Sequence, residues 1–137
     1  HVFVYKMILN SMKKVLDTPK SPKAVGTYNQ AVESNNFIFT SGQVGIDPSS
    51  NKLVEGGISN EVNQVLQNIE SILNDANLNK NHIIKLTVFL IDLNQFEIVN
   101  ESFKSFFGNI DFPARSTVEV SKLPLGANIE IECIASK

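Results

Sequence analysis

The run Ile83–Ile91 (IIKLTVFLI) constrains the fold of this chain more than any other segment. It is nearly continuous in apolar and β-forming residues and too short for a helix of its own, so it predicts a central strand covered on both faces. Apolar residues recur at helical spacing on either side of it: Val62, Val65, Leu66, Ile69, Ile72 and Leu73 before it, and Phe96, Val99, Phe103, Phe106 and Phe107 after it. A buried strand between two amphipathic helices indicates a sheet that helices cover.

Shorter β-rich or alternating segments predict the rest of the sheet. They are Ala24–Val32, Phe37–Ser41, Lys52–Glu55, Arg115–Val120 and Asn128–Ala135. Asn35 and Asn36 suit a hairpin turn between the first two segments, and Ser59 or Asn60 can cap the first helix. One mixed β-sheet with two helices packed on one face, an α+β fold, accommodates this order of elements.

Length and composition are those of one globular domain, with 137 residues, 42% apolar and 19% charged. We assign that domain to residues 17–137 and treat residues 1–16 as an N-terminal extension, which is a leader, a tag or a disordered start. We expect a cytoplasmic protein, or an organellar one if residues 1–14 belong to a targeting segment. No apolar run reaches the ~20 residues that span a bilayer, so no membrane association is expected.

Several classes of function are disfavoured by what the sequence lacks. A net charge of −2 argues against a nucleic-acid partner. The only cysteine, Cys133, excludes an intramolecular disulfide and is predicted to be a buried thiol. His1 and His82 have no metal-ligand spacing, and no glycine pattern matches a phosphate-binding loop or a nucleophile elbow. We therefore expect neither a metal nor another cofactor.

The positive signal centres on Arg115, the only arginine of the chain. In an alternating strand its side chain shares a face with Thr117 and Glu119, and the next strand carries Glu130 and Glu132 on its polar face. If the two strands pair as a hairpin, the arginine and a carboxylate stand near one another. A guanidinium suits a bidentate grip on a substrate carboxylate, and a glutamate can orient or deprotonate water. The alternative is an ordinary ion pair on a solvated face.

A family resemblance rests on five segments. They are Gly26–Val32 (GTYNQAV), Thr40–Asp47 (TSGQVGID), Lys85–Phe96 (KLTVFLIDLNQF), Phe112–Val120 (FPARSTVEV) and Leu123–Ala135 (LPLGANIEIECIA). In this order they resemble the RidA/YjgF family, also called the L-PSP endoribonuclease family. The resemblance runs from about Pro22 to Ala135, so it covers most of the chain.

The resemblance implies a chorismate-mutase-like α+β fold that assembles as a homotrimer, with active sites in the clefts between subunits. It implies hydrolysis of 2-imino or enamino acids, such as 2-iminobutanoate and 2-iminopropanoate, to 2-oxo acids and ammonia. These reactive metabolites leak from pyridoxal-phosphate enzymes such as threonine dehydratase. The partner is then a small imine that bears a carboxylate, and no cofactor is needed.

The resemblance also assigns roles by position. It implies that Arg115 grips the substrate carboxylate and that Glu130 places the attacking water. It implies that Tyr28 and the pair Ser41 and Gly42 line the pocket.

Two further positions complete the implied site. Thr117 stands where many members have cysteine and where a backbone carbonyl approaches the imine nitrogen, a role that survives the change of side chain. Asn94 matches a recurrent Asp-Leu-Asn motif. Thr27 replaces the usual proline before the pocket tyrosine, which makes that lead-in less rigid.

Two other functions stay open at this point. One is RNA cleavage or inhibition of translation, which the second family name records, although the chain has no paired histidines and is acidic overall. The other is a non-catalytic ligand-binding or chaperone-like module, which the presence of Arg115 argues against.

Overall fold

The computed structural model describes Val2 and residues 12–137. Residues 13–137 form eight strands and two α-helices. The strands are β1 (Lys14–Leu16), β2 (Ala31–Ser34), β3 (Phe37–Thr40), β4 (Ile46–Asp47), β5 (Lys52–Leu53), β6 (Ile83–Leu90), β7 (Ala114–Glu119) and β8 (Ile129–Ser136), and the helices are α1 (Ile58–Asp75) and α2 (Phe96–Phe107).

Six strands form one mixed sheet in the order β1-β2-β3-β8-β6-β7, while β4 and β5 form a separate hairpin. Pairing in the large sheet is antiparallel except between β6 and β7. Parallel neighbours need a crossover connection, and α2 supplies it. The predicted turn between β2 and β3 is confirmed, because Asn35 and Asn36 have φ of 50° and 67°, as a two-residue hairpin turn requires.

Both helices pack on one face of this sheet, which confirms the predicted α+β arrangement. From the sheet, Leu86, Val88, Ile129 and Ile131 are fully buried in the core. The predicted apolar stripe of α1 lies against them, together with Val99, Phe103, Phe106 and Phe107 of α2, whereas Phe96 is 38% exposed. Burying each such aliphatic side chain contributes about 1.5–3 kcal/mol relative to leaving it in water, so this layer stabilises the fold.

The opposite face of the sheet is open in the single chain. The prediction that the central strand is covered on both faces was wrong for one chain, since buried and less buried residues alternate along much of β6. The open face carries Phe37, Phe39 and Val118, which are 38%, 42% and 43% exposed. The sequence run looked doubly covered because apolar residues occupy both faces of the sheet. An exposed apolar face of this kind commonly marks an interaction surface.

The N-terminal part of the sheet differs from the prediction. Lys14–Leu16 form β1 and pair with β2, so the sheet starts before the predicted domain boundary at residue 17. Three residues are too few for a period of two to be recognised in the sequence. The rest of the predicted targeting segment, residue 1 and residues 3–11, lies outside the described residues. No helix in the described part of the chain is long and apolar enough to cross a membrane.

Two other local predictions were wrong. Most of the predicted strand Ala24–Val32 is a loop, because the buried Gln30 amide donates to the carbonyls of Thr18 and Pro22 (3.0 and 2.8 Å) and holds the chain off the sheet. No side chain in the described part of the chain caps α1, which begins after Gly57. The Asn60 amide donates instead to the Glu55 carbonyl (2.8 Å).

Candidate active site

The predicted hairpin between the strands of Arg115 and Glu130 does not form. β6 lies between them, and in its register Arg115 pairs with Leu86 whereas Glu130 pairs with Phe89. Leu86 and Phe89 are three residues apart, so the two pairs point to opposite faces of the sheet. β7 and β8 are also two strand spacings apart, about 10 Å. A single chain therefore does not bring the two groups to one small molecule.

Arg115 lies on the helix side of the sheet, beside α2. Its guanidinium carbon is 5.1 Å from the ring centroid of Phe96 and 5.2 Å from that of Phe103. Ion pairs among the described residues join other groups, so the guanidinium has no carboxylate partner there. It lines a cavity of about 350 Å³ whose other walls are Leu86, Asn100, Phe103, Lys104, Phe112 and Pro113. Partial burial lowers the pKa of Arg115 from its usual value, but an arginine stays charged at neutral pH.

Two other predicted site residues lie on the Arg115 side. The Thr117 hydroxyl is buried and finds no hydrogen-bond partner among the described residues. Asn94 lies in the short 3-10 turn Leu93–Gln95 that leads into α2. Glu119 accepts a hydrogen bond at Oε1 from the Leu93 N–H (2.9 Å), which ties the end of β7 to this turn. The strand of Arg115 and the start of α2 are thereby linked.

Glu130 lines a second cavity, of about 500 Å³, together with Tyr28 and Gly42. A Cβ at Gly42 would lie 2.7 Å from Glu130 Cδ, closer than real Cβ contacts, so a side chain here would displace the Glu130 carboxylate. Two hydrogen bonds join the residues that follow Gly42 and Glu130. The Gln43 N–H donates to the Ile131 carbonyl (2.8 Å), and the Ile131 N–H donates to the Gln43 carbonyl (3.0 Å). The glutamate is thus packed directly over a backbone without a side chain.

The surroundings of Glu130 make it a stronger base than a surface glutamate. Burial, and to a smaller extent the negative charge of Glu132, raises the pKa of the Glu130 carboxyl. A carboxylate with a raised pKa accepts a proton from water more readily, which suits a general base.

Tyr28 and Ser41 play different parts around this cavity. Tyr28 is half exposed, lines the cavity and accepts a hydrogen bond at its hydroxyl from the Val25 N–H (3.3 Å). The Ser41 hydroxyl donates to the Asn29 carbonyl (2.6 Å). Ser41 therefore secures the loop next to Gly42 rather than lining the cavity.

The structure sorts the seven predicted site residues into two groups: Arg115, Thr117 and Asn94 beside α2, and Tyr28, Ser41, Gly42 and Glu130 around the second cavity. The sequence analysis missed Phe96 and Phe103 as partners of Arg115. Their spacing of seven residues fits the apolar stripe of a helix, so the sequence indicates a role in the core and gives no separate sign of a contact with Arg115.

A buried carboxylate that the sequence analysis also missed fixes the start of β8. Glu61 on α1 is 2% exposed. It accepts hydrogen bonds from the Asn128 backbone N–H (2.8 Å) and side-chain amide. Asn128 stands two positions before Glu130, so α1 helps to set the path of the strand that carries the base.

Other groups able to do chemistry are engaged elsewhere. His82 accepts a hydrogen bond at Nδ1 from the Asn79 N–H (3.0 Å) in a local turn. Cys133 is buried, as predicted, and burial raises its pKa to about 12, so it is a neutral thiol at physiological pH. Among the residues that the structure describes, no cluster of histidine, cysteine and acidic side chains could hold a metal ion.

Comparison with known proteins gives consistent matches. Residues 18–137 match the family model described as Endoribonuclease L-PSP. The chain is 46% identical to the 2-iminobutanoate/2-iminopropanoate deaminase of Mus musculus, covering 90% of this chain and 91% of that protein. Its fold is similar to the Rid-family protein YyfA from Yersinia pestis, with a TM-score of 0.89, 43% identity and coverage of 91% and 99%. It is also similar to TdcF from E. coli with bound serine, with a TM-score of 0.86, 36% identity and coverage of 90% and 98%.

The fold is that of a small α+β protein of the Rid type. The chain belongs to the RidA/YjgF family, to which the description Endoribonuclease L-PSP also applies. The resemblance inferred from the sequence motifs is thereby confirmed.

Proposed function

We propose that this protein is a hydrolytic deaminase that converts small 2-imino and enamino acids, such as 2-iminobutanoate and 2-iminopropanoate, to 2-oxo acids and ammonia. The proposal rests on the surroundings of Arg115. Its charged guanidinium has no carboxylate partner among the described residues and lines a cavity with apolar and aromatic walls. Such a site suits a carboxylate with a short apolar chain. The name of the mouse relative supports the same reaction.

The active site is completed between copies of the chain in a homotrimer. One copy supplies Arg115 and Thr117, and its neighbour supplies Tyr28, Gly42 and Glu130. We call the Arg115 group and the Glu130 group of site residues the two half-sites. Two observations support this arrangement: the half-sites lie on opposite faces of one sheet, and the open sheet face carries the exposed apolar residues Phe37, Phe39 and Val118. When two different surfaces of identical chains meet, repetition closes a ring if the rotation allows it.

The reaction then needs only positioning and proton transfer. Arg115 holds the carboxylate and places the imine carbon beside a water molecule. Glu130 accepts a proton from the water as the water oxygen bonds to that carbon, and passes this proton to the imine nitrogen. Glu130 then accepts the hydroxyl proton of the resulting carbinolamine and passes it to the nitrogen as the carbon–nitrogen bond breaks, which releases ammonia and leaves the 2-oxo acid. Holding the reactants in line can lower the activation free energy by about 7 kcal/mol.

Hydrolysis of RNA, which the family description names, has less support from these residues. RNA cleavage commonly relies on acid–base groups that titrate near neutral pH, most often histidine. His82, the only histidine that the structure describes, is engaged in a local turn. Binding to RNA through phosphates would weaken steeply with salt, so a salt titration of RNA binding distinguishes this activity from deamination.

The test couples the purified protein to a threonine dehydratase and adds semicarbazide, which traps free 2-iminobutanoate. Wild-type protein should lower semicarbazone formation. The Arg115→Ala protein should fold, and its turnover rate should be more than about a hundredfold lower than that of the wild type. Arg115→Lys tests whether a charge without the planar fork suffices, and Lys122→Ala is the control for loss of an exposed cation.

Two outcomes would contradict the proposal. If wild-type protein leaves semicarbazone formation unchanged, deamination is rejected, and RNA cleavage and ligand binding become the leading candidates. If Arg115→Ala stays active and saturable, the assigned role of Arg115 is wrong.

A further inference from the structure

The Arg115 guanidinium lies against the faces of two aromatic rings. Its central carbon lies over the rings of both Phe96 and Phe103, at 5.1 and 5.2 Å from the centroids. The two phenylalanines are seven residues apart on α2, which is two helical turns, so they present neighbouring rings on one face of the helix. Arginine is attracted to ring faces at such distances.

Each ring is itself held in place. Phe103 is 4% exposed and makes an edge-to-face contact with Phe107 at 5.9 Å between centroids. Phe96 is 38% exposed and begins α2, directly after the turn that the hydrogen bond from Leu93 to Glu119 fixes. The strand that carries Arg115 therefore also fixes the start of the helix that carries Phe96.

Among the residues that the structure describes, no ion pair engages the guanidinium N–H groups. A carboxylate that anchored Arg115 would occupy two of its donors and neutralise its charge. Glu119 shares the face of Arg115 on β7, but its Oε1 accepts from the Leu93 N–H instead. Aromatic support thus holds the guanidinium without occupying the N–H donors that a carboxylate ligand would use.

The residue types agree with this arrangement. Lysine and arginine together number 12, of which one is arginine, and it stands at this position. A guanidinium is flat and weakly hydrated, so it stacks on rings at little cost, whereas a lysine ammonium is compact and strongly hydrated. The position therefore requires arginine for its shape as well as for its charge.

We propose that Phe96 and Phe103 are positioning residues of the substrate site, which hold the Arg115 guanidinium in place and leave its N–H donors free for the substrate carboxylate. The identity of that carboxylate rests on the proposed deaminase function. The positioning itself is a property of the folded chain and can be measured without turnover.

The first test is kinetic and uses Phe96, whose partial exposure lets a substitution fold. Phe96→Leu should raise the KM for 2-iminobutanoate by about fivefold, the effect of losing one partly desolvated ring–cation contact, and lower kcat by less. Phe96→Tyr keeps the ring and should retain the wild-type KM. Phe106→Leu is the matched control, because Phe106 lies on the same helix under another cation, Lys80, at 5.0 Å.

The second test is spectroscopic and does not depend on catalysis. Because the chain has one arginine, protein labelled with 15N-arginine gives a single Nε–H signal, which the two rings should displace from its usual position. Phe96→Leu should move this signal towards the position of a free arginine, whereas Phe106→Leu should not. Addition of 2-oxobutanoate, the product carboxylate, should shift the signal in wild-type protein.

The outcomes separate this inference from the proposed function. If Phe96→Leu keeps both the Nε–H position and the KM of the wild type, or if Phe106→Leu changes them equally, the positioning role is rejected. If the Nε–H signal responds to Phe96→Leu but wild-type protein shows no deaminase activity, the positioning role stands and the deaminase proposal fails.

Discussion

Arg115 and Glu130 are positioned by opposite physical means. Two phenylalanine rings lie under the Arg115 guanidinium, so large side chains fix a cation that keeps its hydrogen-bond donors. Glu130 lies over Gly42, where the absence of a side chain lets a carboxylate approach the backbone. The difference matches the proposed tasks, since a carboxylate grip needs free donors and a general base needs partial removal from water.

Each half-site is held in place by its own surroundings, and neither alone contains both groups that the proposed reaction needs. Arg115 is fixed between β7 and α2, and Glu130 between β8 and the loop that contains Gly42. β6 separates the two regions and turns them to opposite faces. The proposed deaminase reaction therefore requires a second copy of the chain.

The largest effect is expected from mixing two inactive variants. Arg115→Ala and Glu130→Gln should each be inactive alone. After joint unfolding and refolding in equal amounts, about one quarter of wild-type activity should return, because each site in a ring draws Arg115 from one copy and Glu130 from its neighbour. The semicarbazide assay measures this. A mixture that stays inactive would show that one chain supplies both groups.

Gly42→Ala should have the next largest effect. The added Cβ displaces the Glu130 carboxylate, and a misplacement of ~1 Å can cost about a hundredfold in rate, so kcat should fall by one to two orders of magnitude. The control is Gly57→Ala, whose Cβ meets nothing within 4 Å but whose φ of 92° is strained for alanine. Gly57→Ala should lower the free energy of unfolding and leave kcat unchanged. If Gly42→Ala kept the wild-type kcat and Gly57→Ala lowered it, the proposed packing of Glu130 over Gly42 would be wrong.

A smaller effect is expected on the pH dependence of kcat/KM. Burial first and the Glu132 charge second raise the pKa of Glu130, so activity should fall as the pH drops through this raised value and Glu130 takes up a proton. Glu132→Gln should move this acid limb to lower pH by a fraction of a unit. An unmoved limb would mean that another group limits the rate.

The same titration affects stability with a defined sign. The folded chain binds the Glu130 proton more tightly than the unfolded chain does. The contribution of this group to stability is therefore full below the unfolded pKa and is lost as the pH rises through the folded pKa.

The smallest effect is expected for Thr117→Val. The buried Thr117 hydroxyl has no hydrogen-bond partner among the described residues, so its removal should raise the free energy of unfolding by about 1 kcal/mol. Turnover should change by less than about twofold if the position acts through its backbone carbonyl. Urea unfolding and steady-state kinetics measure the two quantities, and a large loss of turnover would assign the hydroxyl to the substrate.

Local periodicity accounts for the parts of the fold that could be predicted. The stripe from Val62 to Leu73 predicted α1, and Asn35 and Asn36 predicted their turn, because these signals depend on residues close in sequence. The loop before β2 was mistaken for a strand, since the long-range contacts of Gln30 hold it in place. Among site residues, Arg115 stood out by its rarity, whereas its aromatic partners did not stand out among nine phenylalanines.

The sequence by itself determined the helices, most strands, the family and the residue types that can grip a carboxylate and move a proton. Only the tertiary structure decided that β6 enters between β7 and β8, which turns Arg115 and Glu130 to opposite faces. The physical reason is that strand pairing depends on contacts between residues far apart in the chain. An alternating pattern specifies that a strand has two faces, and only its neighbours specify what each face meets.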